Sequence, residues 1–204
     1  MTAAGKKLFA GPCDFIWGTG NIESLPPQTL PEVAFVGRSN AGKSSLLNAL
    51  TNRKALARVS HTPGRTRELN FFNLGGTITL VDLPGYGYAK ASKTLTAEWQ
   101  ELIFAYLSGR ANLRRVLVLI DSRRGVMEID HAVMDLLDDT AVSYCLALTK
   151  LDELKPAERE AAVAAALAQG ARHRAAYPKV FATSAQDRSG LEPLQDHIVA
   201  LASP

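Results

Sequence analysis

Gly37-Arg38-Ser39-Asn40-Ala41-Gly42-Lys43-Ser44 is the stretch whose reading decides the fold. It has the spacing G-x-x-x-x-G-K-[ST]. The apolar run Glu32-Val33-Ala34-Phe35-Val36 precedes it, and Ser45-Leu46-Leu47-Asn48-Ala49-Leu50, with a helical apolar face, follows. A strand, a glycine-bearing loop and a helix in that order gather backbone N–H groups and a helix N-terminus around one point. Gly37 and Gly42 let the backbone come close to a dense negative charge, Lys43 reaches outer phosphates as a mobile cation, and the Ser44 hydroxyl can sit on a magnesium ion. A chance match to this spacing is expected on the order of once per hundred chains of this length. The stretch therefore points to a nucleoside triphosphate.

Composition sets the frame around that loop. With 204 residues, 47% of them hydrophobic, the chain can bury one sizeable core and reads as one domain, residues 32–204, behind an N-terminal arm, residues 1–31. Lys and Arg exceed Asp and Glu by 23 to 20, which permits an RNA partner without requiring one. Cys13 and Cys145 lack the spacing of a disulfide or metal pair, so a reducing compartment is expected. Lys6 and Lys7 are not followed by a long apolar segment, and the longest wholly apolar run, 161–168, is far below the roughly 18 residues of a membrane helix. A cytoplasmic protein that binds no membrane is the expectation.

Glycines and prolines punctuate the arm, which reads as irregular; Leu8, Phe9, Phe15, Ile16 and Trp17 are expected to lie partly against the domain, because they are costly to leave in water. Residues 69–74 and 77–82 read as antiparallel strands joined by the two-residue turn Gly75-Gly76. Short apolar runs at 116–121, 143–149 and 179–182 alternate with helical stretches, the pattern of a parallel sheet. Leu95, Trp99, Leu102, Ile103, Tyr106 and Leu107 share one helical face, as do Val126, Ile129, Val133, Leu136 and Leu137. Pro156 suits the first turn of an alanine-rich helix over 156–169, and Ser189 with Glu192 spells a capping box for the last helix. Arg110, Arg114, Arg115, Arg123 and Arg124 read as solvated faces in preference to an RNA-facing patch. His61, His131, His173 and His197 show no metal or catalytic spacing.

Three later motifs narrow the nucleotide. Asp82-Leu83-Pro84-Gly85 closes a strand, where the carboxylate can hold a metal-bound water and the Gly85 amide can meet the last phosphate. Thr149-Lys150-Leu151-Asp152 varies the Asn-Lys-x-Asp pattern; the two oxygens of Asp152 can accept the ring N–H and exocyclic amine of guanine, which adenine does not offer. Thr183-Ser184-Ala185-Gln186 follows another strand and completes the set.

Read together, GRSNAGKSS at 37–45, TPGRT at 62–66, Asn70-Phe71-Phe72, DLPGYGYA at 82–89, TKLD and Ser184-Ala185 resemble the EngB family, also called YihA or YsxC, in the TrmE-Era-EngA-EngB-septin-like class of GTPases. The resemblance spans nearly the whole chain. It implies a Ras-like α/β fold: a mostly parallel six-stranded sheet with one antiparallel strand and helices on both faces. It also implies slow GTP hydrolysis as a nucleotide switch in assembly of the bacterial large ribosomal subunit, with links to septation and the cell cycle, in a monomer whose partner is that subunit or its precursor.

Carried over by motif, Gly37, Arg38, Ser39, Asn40, Ala41, Gly42, Lys43, Ser44 and Ser45 would hold phosphates with Gly64. Ser44, Thr66 and Asp82 would hold Mg²⁺, and Thr149, Lys150, Asp152, Thr183, Ser184 and Ala185 the base. Lys43, Thr66, Gly85 and Asn40 would serve catalysis. Tyr86 stands where Ras-type enzymes carry a water-orienting glutamine, so Asn40 is expected to place a potassium ion where an arginine finger would act. Thr66, Gly64 and residues 85–92 are expected to change order with the nucleotide. A small-molecule kinase would need a lid insertion that this length does not leave room for; a GTP-gated interaction module whose partner is not the ribosome remains the alternative.

Overall fold

The computed structural model describes residues 2–54, 56, 68–87 and 93–202, with backbone alone at 93–96. Expectations resting on Gly64, Thr66, the 62–66 stretch, residues 88–92 and the Leu95 side chain lie outside the described residues.

One sheet orders the chain as β1 (Cys13–Thr19), β3 (Leu69–Leu74), β4 (Ile78–Asp82), β2 (Glu32–Gly37), β5 (Leu113–Asp121), β6 (Tyr144–Thr149) and β7 (Ala176–Ala182). From β4 to β7 every pairing is parallel. Only β3 runs against the rest, antiparallel to both β1 and β4. The sheet thus has seven strands, one more than the sequence pattern predicts, and the addition comes from the arm. There α1 (Ala3–Ala10), capped by the Thr2 hydroxyl accepting the Gly5 N–H at 3.0 Å, leads into β1. The arm is therefore regular over much of its length.

Alternation along the strands sends two sets of side chains to two layers. Val33 and Phe35 of β2, with Leu117, Leu119 and Cys145, pack under Phe9 of α1, Leu46, Leu47 and Leu50 of α2 (Lys43–Leu50), and Leu191, Leu194 and Ile198 of α6 (Leu191–Leu201). Ala34 and Val36, with Val116, Val118 and Ile120, pack under α3 (Lys93–Gly109), α4 (Glu128–Asp139) and α5 (Pro156–Gly170) through Ile103, Tyr106, Val133, Leu137 and Ala166. Each large apolar side chain buried this way stabilises by about 1.5–3 kcal/mol, so a one-residue slip of β2, which would exchange its two sets, is strongly disfavoured.

Several local expectations change. Phe15, Ile16 and Trp17 stay 57%, 45% and 45% exposed, because β1 is an edge strand held through its backbone and the edge contact of Phe15 on Phe72. The β3–β4 turn has positive φ at Gly75 and Gly76, as predicted, but Leu74 lies opposite Ile78, so the connection is one residue longer. No capping box starts α6: Gly190 is its N-cap at φ 70°, and a Cβ there would lie 1.8 Å from the Ala182 carbonyl oxygen. Packing against β7 overrides the local capping signal. Ile129 is 41% exposed, off the buried stripe of α4. Arg110 and Arg115, read as surface residues, are 6% and 9% exposed. Among the described residues no helix is long and apolar enough to cross a membrane.

Candidate nucleotide site

The phosphate loop leaves the C-terminal end of β2, where parallel strands open into a crevice. Gly37 is required by packing: a Cβ there would lie 3.0 Å from both the Cβ and the carbonyl oxygen of Leu119. Asn40 at φ 65° and Gly42 at φ 85° turn the chain into α2, whose first residue is Lys43. The loop is also tied to the segment after β4. Ser39 N–H donates to the Tyr86 carbonyl at 3.0 Å, and Tyr86 N–H donates to the Gly37 carbonyl at 3.2 Å. The Lys43 ammonium meets the Asp82 carboxylate at the end of β4 in a close ion pair, with side chains 15% and 9% exposed. Ser44 sits in the same first turn of α2, and Gly85 is buried between Asp82 and Tyr86.

A second group converges from the ends of β6 and β7. The Thr149 hydroxyl donates to the Ala41 carbonyl at 2.6 Å. Lys150, at φ 57°, sends its ammonium to the Asn40 carbonyl at 2.8 Å and to Asp121 at 3.0 Å. Burial alone would raise the pKa of Asp121, but bonds from Arg123 and Lys150 outweigh it and hold the carboxyl well below the usual range. Asp152 lies in a single 3-10 turn after Lys150 and accepts a hydrogen bond from the Ser184 hydroxyl. That hydroxyl in turn accepts from the Gln186 and Asp187 amides at 3.1 and 3.2 Å, which orients the carboxylate. Thr183 N–H bonds the Leu148 carbonyl at 2.7 Å, and Leu151 N–H bonds the Thr183 carbonyl, locking the two strand ends together.

Between α2 and the ends of β6 and β7 lies a cleft of about 850 Å³, lined by Gly42, Ser45, Thr149, Lys150, Asp152, Thr183 and Ala185 among others. A volume of this order suits a nucleotide. One wall is the start of α2 with Gly42 and Ser45, and the other offers the carboxylate that Ser184 orients; Lys43, Ser44, Asp82 and Gly85 are not part of this lining.

The family of 50S ribosome-binding GTPases (MMR_HSR1) matches residues 32–150, over half of the chain. The probable GTP-binding protein EngB of Gluconobacter oxydans (strain 621H) is 50% identical over 200 residues, covering 98% of this chain and 88% of that relative. The chain belongs to the EngB family. The probable GTP-binding protein EngB of Bradyrhizobium diazoefficiens is 53% identical over 197 residues, 96% of this chain and 91% of its own. The crystal structure of a probable GTP-binding protein engB shares the fold at a TM-score of 0.66 and 22% identity, over 84% of this chain and 98% of that one. Membership makes the chain a GTPase of the EngB type.

In this EngB chain the Arg38 side chain turns away from the cleft. Its guanidinium pairs with Asp130 at 3.2 Å and donates to the Gly125 carbonyl at 3.1 Å. Arg38, Ser39 and Asn40 instead face a separate cavity of about 240 Å³ beside Asp121, Arg123 and Lys150. Sequence reasoning missed Asp121, which anchors Lys150; the signal was a carboxylate ending an apolar parallel strand. It also missed the Tyr86–Asp130 bond of 2.7 Å, which burial and the neighbouring carboxylate accompany by raising the tyrosine pKa. Nothing local marks that pair, 44 residues apart.

Proposed function

We propose that this chain binds GTP with Mg²⁺ in the 850 Å³ cleft, hydrolyses it slowly, and uses the nucleotide state to engage the large ribosomal subunit or its precursor during assembly. One observation carries the guanine reading: Asp152, oriented by Ser184, stands on strand ends that Thr149 and Lys150 fasten directly to the phosphate loop. The chain thus holds one nucleotide at both ends.

Asp82 and Ser44 fit a hard divalent ion. A nearly buried carboxylate already holds the Lys43 ammonium, and a hydroxyl stands in the adjacent helix turn. When bound, the ion would neutralise charge on the phosphate oxygens. Lys43 then leaves Asp82 for the phosphates, and the loop amides and the N-terminus of α2 hold the charge that develops during transfer. The Gly85 amide is assigned to the last phosphate and Thr66 to the magnesium ion, as their motifs imply. Slow turnover follows from Tyr86: its hydroxyl is committed to buried Asp130, so it does not orient an attacking water. Asn40, exposed at the rim of the loop, is assigned to a potassium ion beside the phosphates. Equal hydrolysis in sodium and potassium buffers would remove that assignment.

The ribosomal part is supported by the description of the matched family. Asp152→Asn tests the base: GTP affinity should fall about 10- to 100-fold, the worth of a charged hydrogen bond or two, while xanthosine triphosphate binding improves. Unchanged GTP affinity would refute the pocket. Sedimentation with 50S particles under GTP and under GDP tests the partner. Intact GTP binding without nucleotide-dependent sedimentation would leave a GTP-gated module with another partner.

A further inference from the structure

Away from the cleft, at the opposite end of the sheet, four side chains that share no sequence motif come together. Asp135 and Asp138 lie three residues apart on α4, and so on one face of the helix. His173 follows α5, in the turn that leads to β7. Its Nδ1 is 3.0 Å from an Asp138 oxygen and 3.5 Å from an Asp135 oxygen. All three ligand atoms lie within 4.8 Å of one another. A tetrahedral ion with bonds of about 2.0–2.1 Å holds its ligand atoms about 3.3 Å apart, so the two distances from the imidazole bracket the edge that such an ion needs.

The surroundings hold these groups in place. Asp138 uses its other oxygen to accept the Ala175 N–H at 2.7 Å. His173 uses its other nitrogen, Nε2, to bond His131 Nδ1 at 2.9 Å, and the two rings stack at 5.2 Å. That outer bond selects the face of the imidazole that meets the carboxylates, the arrangement by which metal-binding histidines are oriented. His173 is 7% exposed and Asp135 is 68% exposed, so the cluster has a fixed floor and a wet mouth. Two carboxylates face a ring that carries at most one positive charge, which leaves a local excess of negative charge. The Tyr144 ring stands edge-on to His173 behind the cluster. Among the described residues its buried hydroxyl has no hydrogen-bond partner.

We infer that His173, Asp138 and Asp135 form a site for a divalent transition metal of the zinc class, with His131 as the positioning residue behind His173. One imidazole with two carboxylates favours Zn²⁺ over the all-oxygen shells of Mg²⁺ and Ca²⁺. The exposed side leaves a coordination position to water. The site is independent of the nucleotide, and it crosslinks α4 to the turn before β7.

Titration of the full chain with Zn²⁺, in excess Mg²⁺ and without nucleotide, tests the assignment. One equivalent should bind and raise the melting temperature, and Co²⁺ in its place should show the visible absorption of a tetrahedral site. His173→Gln and Asp138→Asn should each weaken Zn²⁺ at least tenfold. Asp135→Asn changes an exposed group that the fold does not need, and should also weaken Zn²⁺ and abolish the melting shift while leaving GTP binding unchanged. Should the wild type fail to bind Zn²⁺ over Mg²⁺, or Asp135→Asn bind it as tightly as the wild type, the site does not exist.

Discussion

Strand β2 begins and ends at a nearly buried ion pair, and the two pairs are built differently. At its start Glu32 receives the Tyr106 hydroxyl at 2.9 Å and the Arg110 guanidinium on both carboxylate oxygens. Arg110 gives a further N–H to the Pro26 carbonyl at 2.7 Å and lies over the Phe71 ring. Beyond its other end, Lys43 and Asp82 meet through one carboxylate oxygen, the ammonium carried on a flexible stem. The first pair is closed on every side and fixes the arm, α3 and the sheet relative to one another. Among the described residues the second is a single contact between a mobile ammonium and a carboxylate, which an arriving phosphate and its counter-ion can separate. A lone ion pair at a strand's C-terminal end can exchange partners, while a networked pair at the other end serves as structure.

Arg110→Met should break this contrast most severely. Glu32 would be left charged in a site where the two side chains are 3% and 2% exposed, and the loss should be on the order of 3–5 kcal/mol in urea unfolding. A loss below about 1 kcal/mol would mean that the lower pair is dispensable. Lys43→Met should reverse the pattern: stability changes less, because Asp82 loses one contact and not a closed network, but nucleotide affinity falls roughly hundredfold, about 3 kcal/mol, by calorimetry. If unfolding shifts as far as for Arg110→Met, the two pairs are of one kind.

Tyr86→Phe sharpens the upper end. Asp130 keeps Arg38 at 3.2 Å and the Met127 amide at 2.8 Å, so the cost should be about 1 kcal/mol, with hydrolysis unchanged because this hydroxyl does not reach the water. Faster or slower single turnover would overturn the account of slow catalysis. At neutral pH the smallest effect is a background term that belongs to neither pair and emerges only on acidification. His197, against Phe181 and Tyr177, has its pKa lowered from 6.5 to about 4 by burial and then by Arg115 and Lys179. The unfolded chain therefore takes up a proton first, and stability is lost as pH falls from about 6.5 towards 4. His197→Gln should flatten that part of the pH–stability curve.

These contrasts also mark what the sequence made legible. Phosphate loop, hairpin, Asp82, Asp152 and Ser184 are local motifs, and each stands at the strand end where its motif implies. The lower pair was hidden because Glu32 and Arg110 lie 78 residues apart, and a guanidinium in a basic run looks like surface. Strand β1 was obscured by its flanking glycines and prolines and by its place at an edge, where five consecutive exposed residues show no alternation. Ser189 and Glu192 spelled a cap that close packing of Gly190 on Ala182 displaced. Residues His131 and His173, 42 apart, carried no spacing to read.

Tyr86 is clamped three ways: its amide and carbonyl are taken by the phosphate loop, and its hydroxyl by α4. Immediately after it comes Gly87, at φ 74°, whose missing Cβ leaves clearance beside Ile129. The path of the chain here is therefore set jointly by the phosphate loop and α4, and any side chain at position 87 would strain the backbone and crowd Ile129 together.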